Sequence, residues 1–208
     1  MSFSERLQKD FTTITLALIP VAVVINIVVG QIVATLKLPI YVDSIGTILV
    51  GALCGPLPGA ITGAISNILW AYITGQIQTA PFALTAFVIG LCAGFFASKG
   101  VFKNIAWTIA AGLATGVIAA LVSAPILVYV NGGVTGTGTD AIVAYFQATG
   151  ANLIQAATIQ GFISDPIDKT ISYLIVWLIL RGMSKRLISQ FPRSQNILTE
   201  ESQVEGTS

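Results

Sequence analysis

Leu38–Gly63 reads LPIYVDSIGTILVGALCGPLPGAITG. It opens with a proline-bearing loop and one acidic residue, Asp43, then places glycine at 46, 51, 55, 59 and 63 with no further charge. Glycines about four residues apart share one helix face and let a second backbone approach closely. Pro56 and Pro58, inside GPLPG, break the run where a helix has to turn back. A reversed, glycine-lined helical pair below a polar loop is what a packed membrane bundle with a small-molecule cavity needs.

Composition points the same way. Charged residues make up 9% of the 208-residue chain and hydrophobic ones 54%, whereas an ordinary soluble domain has about 25% charged residues with which to cover its surface. Ser44–Ser98 and Asn104–Thr139 contain no Asp, Glu, Lys or Arg. These runs lack the alternation of a transmembrane barrel strand. The sequence therefore predicts an all-α polytopic membrane protein. A net charge of +1 gives no reason to expect nucleic acid. The first apolar run, Phe11–Leu36, exceeds the ~7–15 residues of a signal-peptide core and reads as a first span. Cys54 and Cys92 lie in apolar runs and read as small packing residues.

Six spans are expected, at about Thr12–Leu36, Ile40–Cys54, Leu57–Thr74, Phe82–Ser98, Ile105–Val130 and Asp165–Arg181. Six spans gather Arg6, Lys9, Lys99, Lys103, Arg181, Lys185, Arg186 and Arg193 on one side, leaving Lys37 and Lys169 on the other. The positive-inside bias then puts both termini in the cytoplasm of a cell-membrane protein. The chain divides into a cytoplasmic segment 1–11, a six-helix substrate-binding domain 12–182, and a basic then acidic tail 183–208 that is largely disordered. Residues 141–163, uncharged but with Gln147, Asn152, Gln155 and Gln160, read as a hairpin or interfacial cover on the outer side.

The chain has no histidine and no GxxxxGK[ST] loop, and no zinc-like spacing of cysteines or carboxylates. Neither an enzyme nor a bound cofactor or metal is expected. What remains is polar residues in the outer half of the bundle: Asp43, with Tyr41 beside it; Asn67 and Trp70 on one face of the third span with Thr74; and Asp168 and Lys169, with Asp165, at the start of the sixth. Tyr41, Asp43, Asn67, Trp70, Asp168 and Lys169 are the candidate substrate-binding residues. Each also has a structural reading: Asp43 as a helix cap, Asp168 and Lys169 as an interfacial pair, Trp70 and Tyr41 as an aromatic belt. Asn26, Gly30 and Ala34 form a close-packing face on the first span, and Gly55, Gly59 and Gly63 one around the GPLPG turn.

With these residues assembled, the chain resembles the substrate-binding S components of energy-coupling factor vitamin transporters over roughly Thr12–Arg186. The resemblance rests on the six-helix layout, LPIYVDSIGT, the GALCGPLPGAITG turn, and Asp168–Lys169 opening the last helix. It implies a specificity subunit that binds a micronutrient from outside and works with a transmembrane coupling subunit and two cytoplasmic ATPases. It also implies that the loop Lys37–Asp43 closes over the site and that Asp168 and Lys169 line it. Where that family often carries Ala-x-x-x-Ala for docking the coupling subunit, this chain offers Asn26-x-x-x-Gly30-x-x-x-Ala34. The Asn, Gln, Trp and Tyr residues suit a heteroaromatic ligand. Competing readings are a stand-alone ion-coupled transporter or channel, and a ligand-sensing membrane domain.

Overall fold

The computed structural model describes residues 9–198, which contain helices and no β-strand. Helix α1 spans Thr13–Thr35, α2 Ile45–Cys54, α3 Pro56–Ile73, α4 Ala83–Ser98, α5 Ile105–Tyr129, α6 Asp140–Ala148, α7 Leu153–Gly182 and α8 Lys185–Ile188. Among the described residues three stretches are long and apolar enough to cross a membrane: α1, α5, and Ile77–Ser98, in which a 3-10 segment runs into α4.

Helix α2 is the axis of the fold. All ten of its residues are buried, and it packs against α1, α3, α4 and α7. At ~1.5 Å per residue it is about 15 Å long, half the thickness of a hydrocarbon core. The expected second span, Ile40–Cys54, is thus corrected: residues 40–43 are extended and the helix starts at Ile45. Asp43 is not its cap. The N-cap is Ser44, whose side chain makes no capping bond, and the Gly46 N–H donates instead to Asn26 Oδ1 of α1 at 2.7 Å. The Asn26 amide donates onward to Thr47 at 2.8 Å and Ser66 at 3.0 Å, tying α1, α2 and α3 together.

The GPLPG turn forms where the sequence placed it. Gly55 has φ +113°, closed to most side chains, and Pro56 starts α3 at a position that needs no N–H donor. Gly59 and Gly63 are close-packing residues. A methyl on Gly63 would lie 2.4 Å from the Ala86 carbonyl oxygen, and one on Gly59 2.7 Å from Gly51 Cα. Their counterpart on α4 is Gly90, where a methyl would meet the Ala60 nitrogen at 2.3 Å.

Helix α7 departs most from expectation. It begins twelve residues before Asp165, because Asn152 and Gln155 form a capping box at 2.9 and 3.1 Å. Asp165, Asp168 and Lys169 therefore lie more than three turns inside a 30-residue helix, not at its outer start. Residues 141–163 are α6 and the first part of α7. Helices α5 and α7 form a tight pair in which a methyl on Gly116 would lie 2.3 Å from Pro166 Cα.

The tail also differs from a loose segment over 183–198. Ile188, Phe191 and Leu198 are buried in the same cluster as Leu53 and Cys54. Arg193 donates its backbone N–H to the Leu53 carbonyl and clasps the Asp10 carboxylate with guanidinium bonds of 2.7 and 2.8 Å. Apolar side chains spaced along a short basic segment are enough to dock it on the cytoplasm-facing end expected for α2. The acidic stretch after 198, and residues 1–8, lie outside the described residues.

Candidate functional site

The half-length of α2 leaves space beyond its N-terminus, and a cavity of about 990 Å³ occupies it. Its walls come from α1, α3, the start of α4, α5 and α7, together with the extended segment 37–44 and the Thr135–Thr137 loop. That size is at the upper end of ligand pockets, ~300–1,000 Å³.

Five of the six candidate residues, Tyr41, Asp43, Asn67, Trp70 and Lys169, line the cavity. Asn67 and Trp70 reach it because positions three apart share the inner face of α3. The Asn67 amide makes one long bond, 3.4 Å to the Gly63 carbonyl, and keeps hydrogen-bonding capacity for a ligand. Gly30 and Ala34 line the same space. A methyl on Gly30 would sit 3.1 Å from Asp43 Cβ and 3.2 Å from the Trp70 ring, so this glycine lets the two converge. The Asn26–Gly30–Ala34 stripe thus faces the interior.

Asp168 is corrected too: it does not line the cavity. Fully buried, it accepts the backbone N–H groups of Tyr41 at 3.0 Å and Val42 at 2.6 Å on one oxygen, and its other oxygen pairs with Lys169. It is the pin that holds the loop. The strain is at Val42, a β-branched residue with φ +50°, a conformation kept only where surroundings over-determine it. The Lys169 ammonium also donates to Asp43 Oδ1 at 3.2 Å and Ser44 Oγ at 3.0 Å. Three donors meet three acceptors, leaving no proton for a ligand.

Asp165, which the sequence reading placed beside Asp168 and Lys169 but left out of the six candidates, also belongs to this wall. It lines the cavity, is 4% exposed, and accepts one hydrogen bond, from Ser123 at 3.1 Å. Asp165 lies three residues from Asp168 and four from Lys169, and both separations share a helix face, so spacing alone does not tell which carboxylate meets the cavity.

Two loops close on each other at the cavity's end. The Tyr41 hydroxyl and Thr139 Oγ1 are 3.1 Å apart, and the Gln160 amide reaches the same hydroxyl at 3.5 Å. Burial, then the Asp165 carboxylate, push the Tyr41 phenol well above its ordinary value, so it remains a neutral hydrogen-bonding group. Lys37 donates to the Gly136 carbonyl, and Asp140 folds the second loop by accepting from the Thr135 and Gly136 N–H groups. Among the described residues no group of three or more His, Cys, Asp or Glu is placed to hold a metal ion.

In comparison with known proteins, no family model matches this chain, and no curated protein or solved structure matches it significantly.

Proposed function

We propose that this chain is the substrate-binding subunit of an uptake transporter of the energy-coupling factor kind. In this reading it is a six-span cell-membrane protein with both termini in the cytoplasm. It takes a small micronutrient from outside and depends on a coupling subunit and two ATPases for energy. The observation that carries the reading is the cavity above the half-length helix α2, with a loop pinned over it by Asp168. The sequence resemblance supports it, and so does the lack of a phosphate-binding loop in the chain itself.

The mechanism follows from the pin. The 37–44 loop covers the cavity while Asp168 holds Tyr41 and Val42, and strain at Val42 favours an alternative loop conformation. Ligand contacts with Tyr41, Asp43 and Trp70 bias the loop toward closure; release requires those contacts to be lost. Transport into vesicles tests the energy source. Uptake that requires the ATPase partners is expected; undiminished uptake without them overturns ATP coupling. Asp165, a cavity-lining carboxyl with one hydrogen-bond partner, favours the ion-coupled reading as second choice. That version predicts counterflow driven by a sodium or proton gradient in the chain alone.

A further inference from the structure

We propose that the cavity's ligand carries a basic nitrogen on a flat, largely apolar body, and that Asp165 receives the cation. This deepens the binding reading above and rests on it. Three carboxylates, Asp43, Asp165 and Asp168, surround one ammonium, Lys169. That ammonium is consumed by Asp43, Ser44 and Asp168. The other basic lining residue, Lys37, is engaged by the Gly136 carbonyl. Beside Asp165 an anionic ligand would meet carboxylates and the fully engaged Lys169 ammonium, the one cationic donor with capacity to spare being the exposed Lys37 in the 37–44 segment, and desolvating it there is unfavourable.

A cation finds the reverse. The Asp165 carboxyl has acceptor capacity beyond its Ser123 bond and borders the cavity. A second, independent feature marks the same space as a ligand site. Thr85 borders the cavity, is 8% exposed, and its hydroxyl has no hydrogen-bond partner. A buried hydroxyl left unpaired is costly, and a polar ligand group would satisfy it. The flat apolar body follows from Trp70, Phe82 and Ile89, which border the cavity and offer aromatic and aliphatic surface.

Three probes sharing one indole ring test this: tryptamine (cationic), tryptophol (neutral) and indole-3-acetate (anionic). Their binding to the purified full chain in lipid nanodiscs is measured by equilibrium dialysis. Tryptamine is expected to bind at least about tenfold more tightly than indole-3-acetate, with tryptophol between, a difference of ~1.4 kcal/mol. Asp165→Asn should reduce tryptamine to the tryptophol level and leave tryptophol unchanged, which also shows the variant to be folded. Equal or tighter binding of indole-3-acetate overturns the inference. So does an Asp165→Asn variant that keeps the cation preference while binding tryptophol normally. If that variant does not fold, the ranking by the unmodified chain decides. Failure of all three probes counts against this ligand class, whereas a different small molecule retained by the purified protein leaves the binding reading standing.

Discussion

Asp168 and Lys169 are adjacent in sequence yet do different work. Asp168 is turned away from the cavity and fixes the loop backbone, while Lys169 bridges Asp168 to Asp43 and Ser44. Removing the Asp168 carboxylate strands the Tyr41 and Val42 N–H groups, at a cost of about 1–3 kcal/mol for each buried group, and leaves Lys169 with the part-exposed Asp43 as its remaining ion-pair partner. Asp168→Ala is therefore expected to lower the unfolding temperature markedly and to speed amide exchange in residues 37–44. Unchanged exchange there would show that the loop is held by something else. Asp43→Asn is expected to be milder, because the Asp43 side chain is one-third exposed and Asp168 remains with Lys169. Asp43→Asn and Trp70→Ala should weaken ligand binding more than they reduce membrane insertion; equal loss of expression in both would support purely structural roles. The sequence made most of this set visible, since ionisable and aromatic residues in an otherwise uncharged chain stand out. That Asp165 borders the cavity and Asp168 does not was not legible, because the register of α7 against the cavity depends on its tertiary packing, which no local pattern states.

At the scale of elements, close glycine contacts decide the packing of α2, α3 and α4. A methyl at Gly90 would meet main-chain atoms of Gly59 and Ala60 at 2.3–2.4 Å, and no side-chain rotation relieves that. Overpacking of this kind costs about 1–3 kcal/mol or more. Gly90→Ala should thus destabilise the protein, while Gly182→Ala, with nothing within 4 Å of the added methyl, should stay within about 0.5 kcal/mol. Thermal unfolding of both variants in one detergent makes the comparison; similar midpoints would contradict the packing account. The 46–63 glycines announced a close-packed turn, but their partners Gly90 and Gly94 become meaningful only once α4 is known to lie beside α3. The start of α7 was legible in principle, because Asn152 and Gln155 have capping-box spacing. Its polar glutamines hid it: Gln160 is buried and turned toward Tyr41, so it does not read as part of an apolar span.

Across the whole molecule, one short central helix shapes the rest. A full-length α2 would fill the space the cavity occupies; at ten residues it supports the closed end and leaves the other open to a polar loop. The opposite end is tied by the Arg193–Asp10 clasp and by Phe191 and Leu198. Arg193→Ala should therefore raise amide exchange over 185–198 without altering ligand affinity, and an affinity loss would show that the two ends communicate. Hydropathy gave the helical class directly, because long uncharged runs leave few alternatives. It did not give the cavity, which arises from a difference in length between neighbouring helices.

Native mass spectrometry of the full chain, purified from cells grown in rich medium, tests the central claim most directly. The account predicts one small molecule bound per chain, retained by the unmodified protein and lost from Trp70→Ala. A folded, monodisperse protein that carries no small molecule, or one that Trp70→Ala retains equally well, would contradict it.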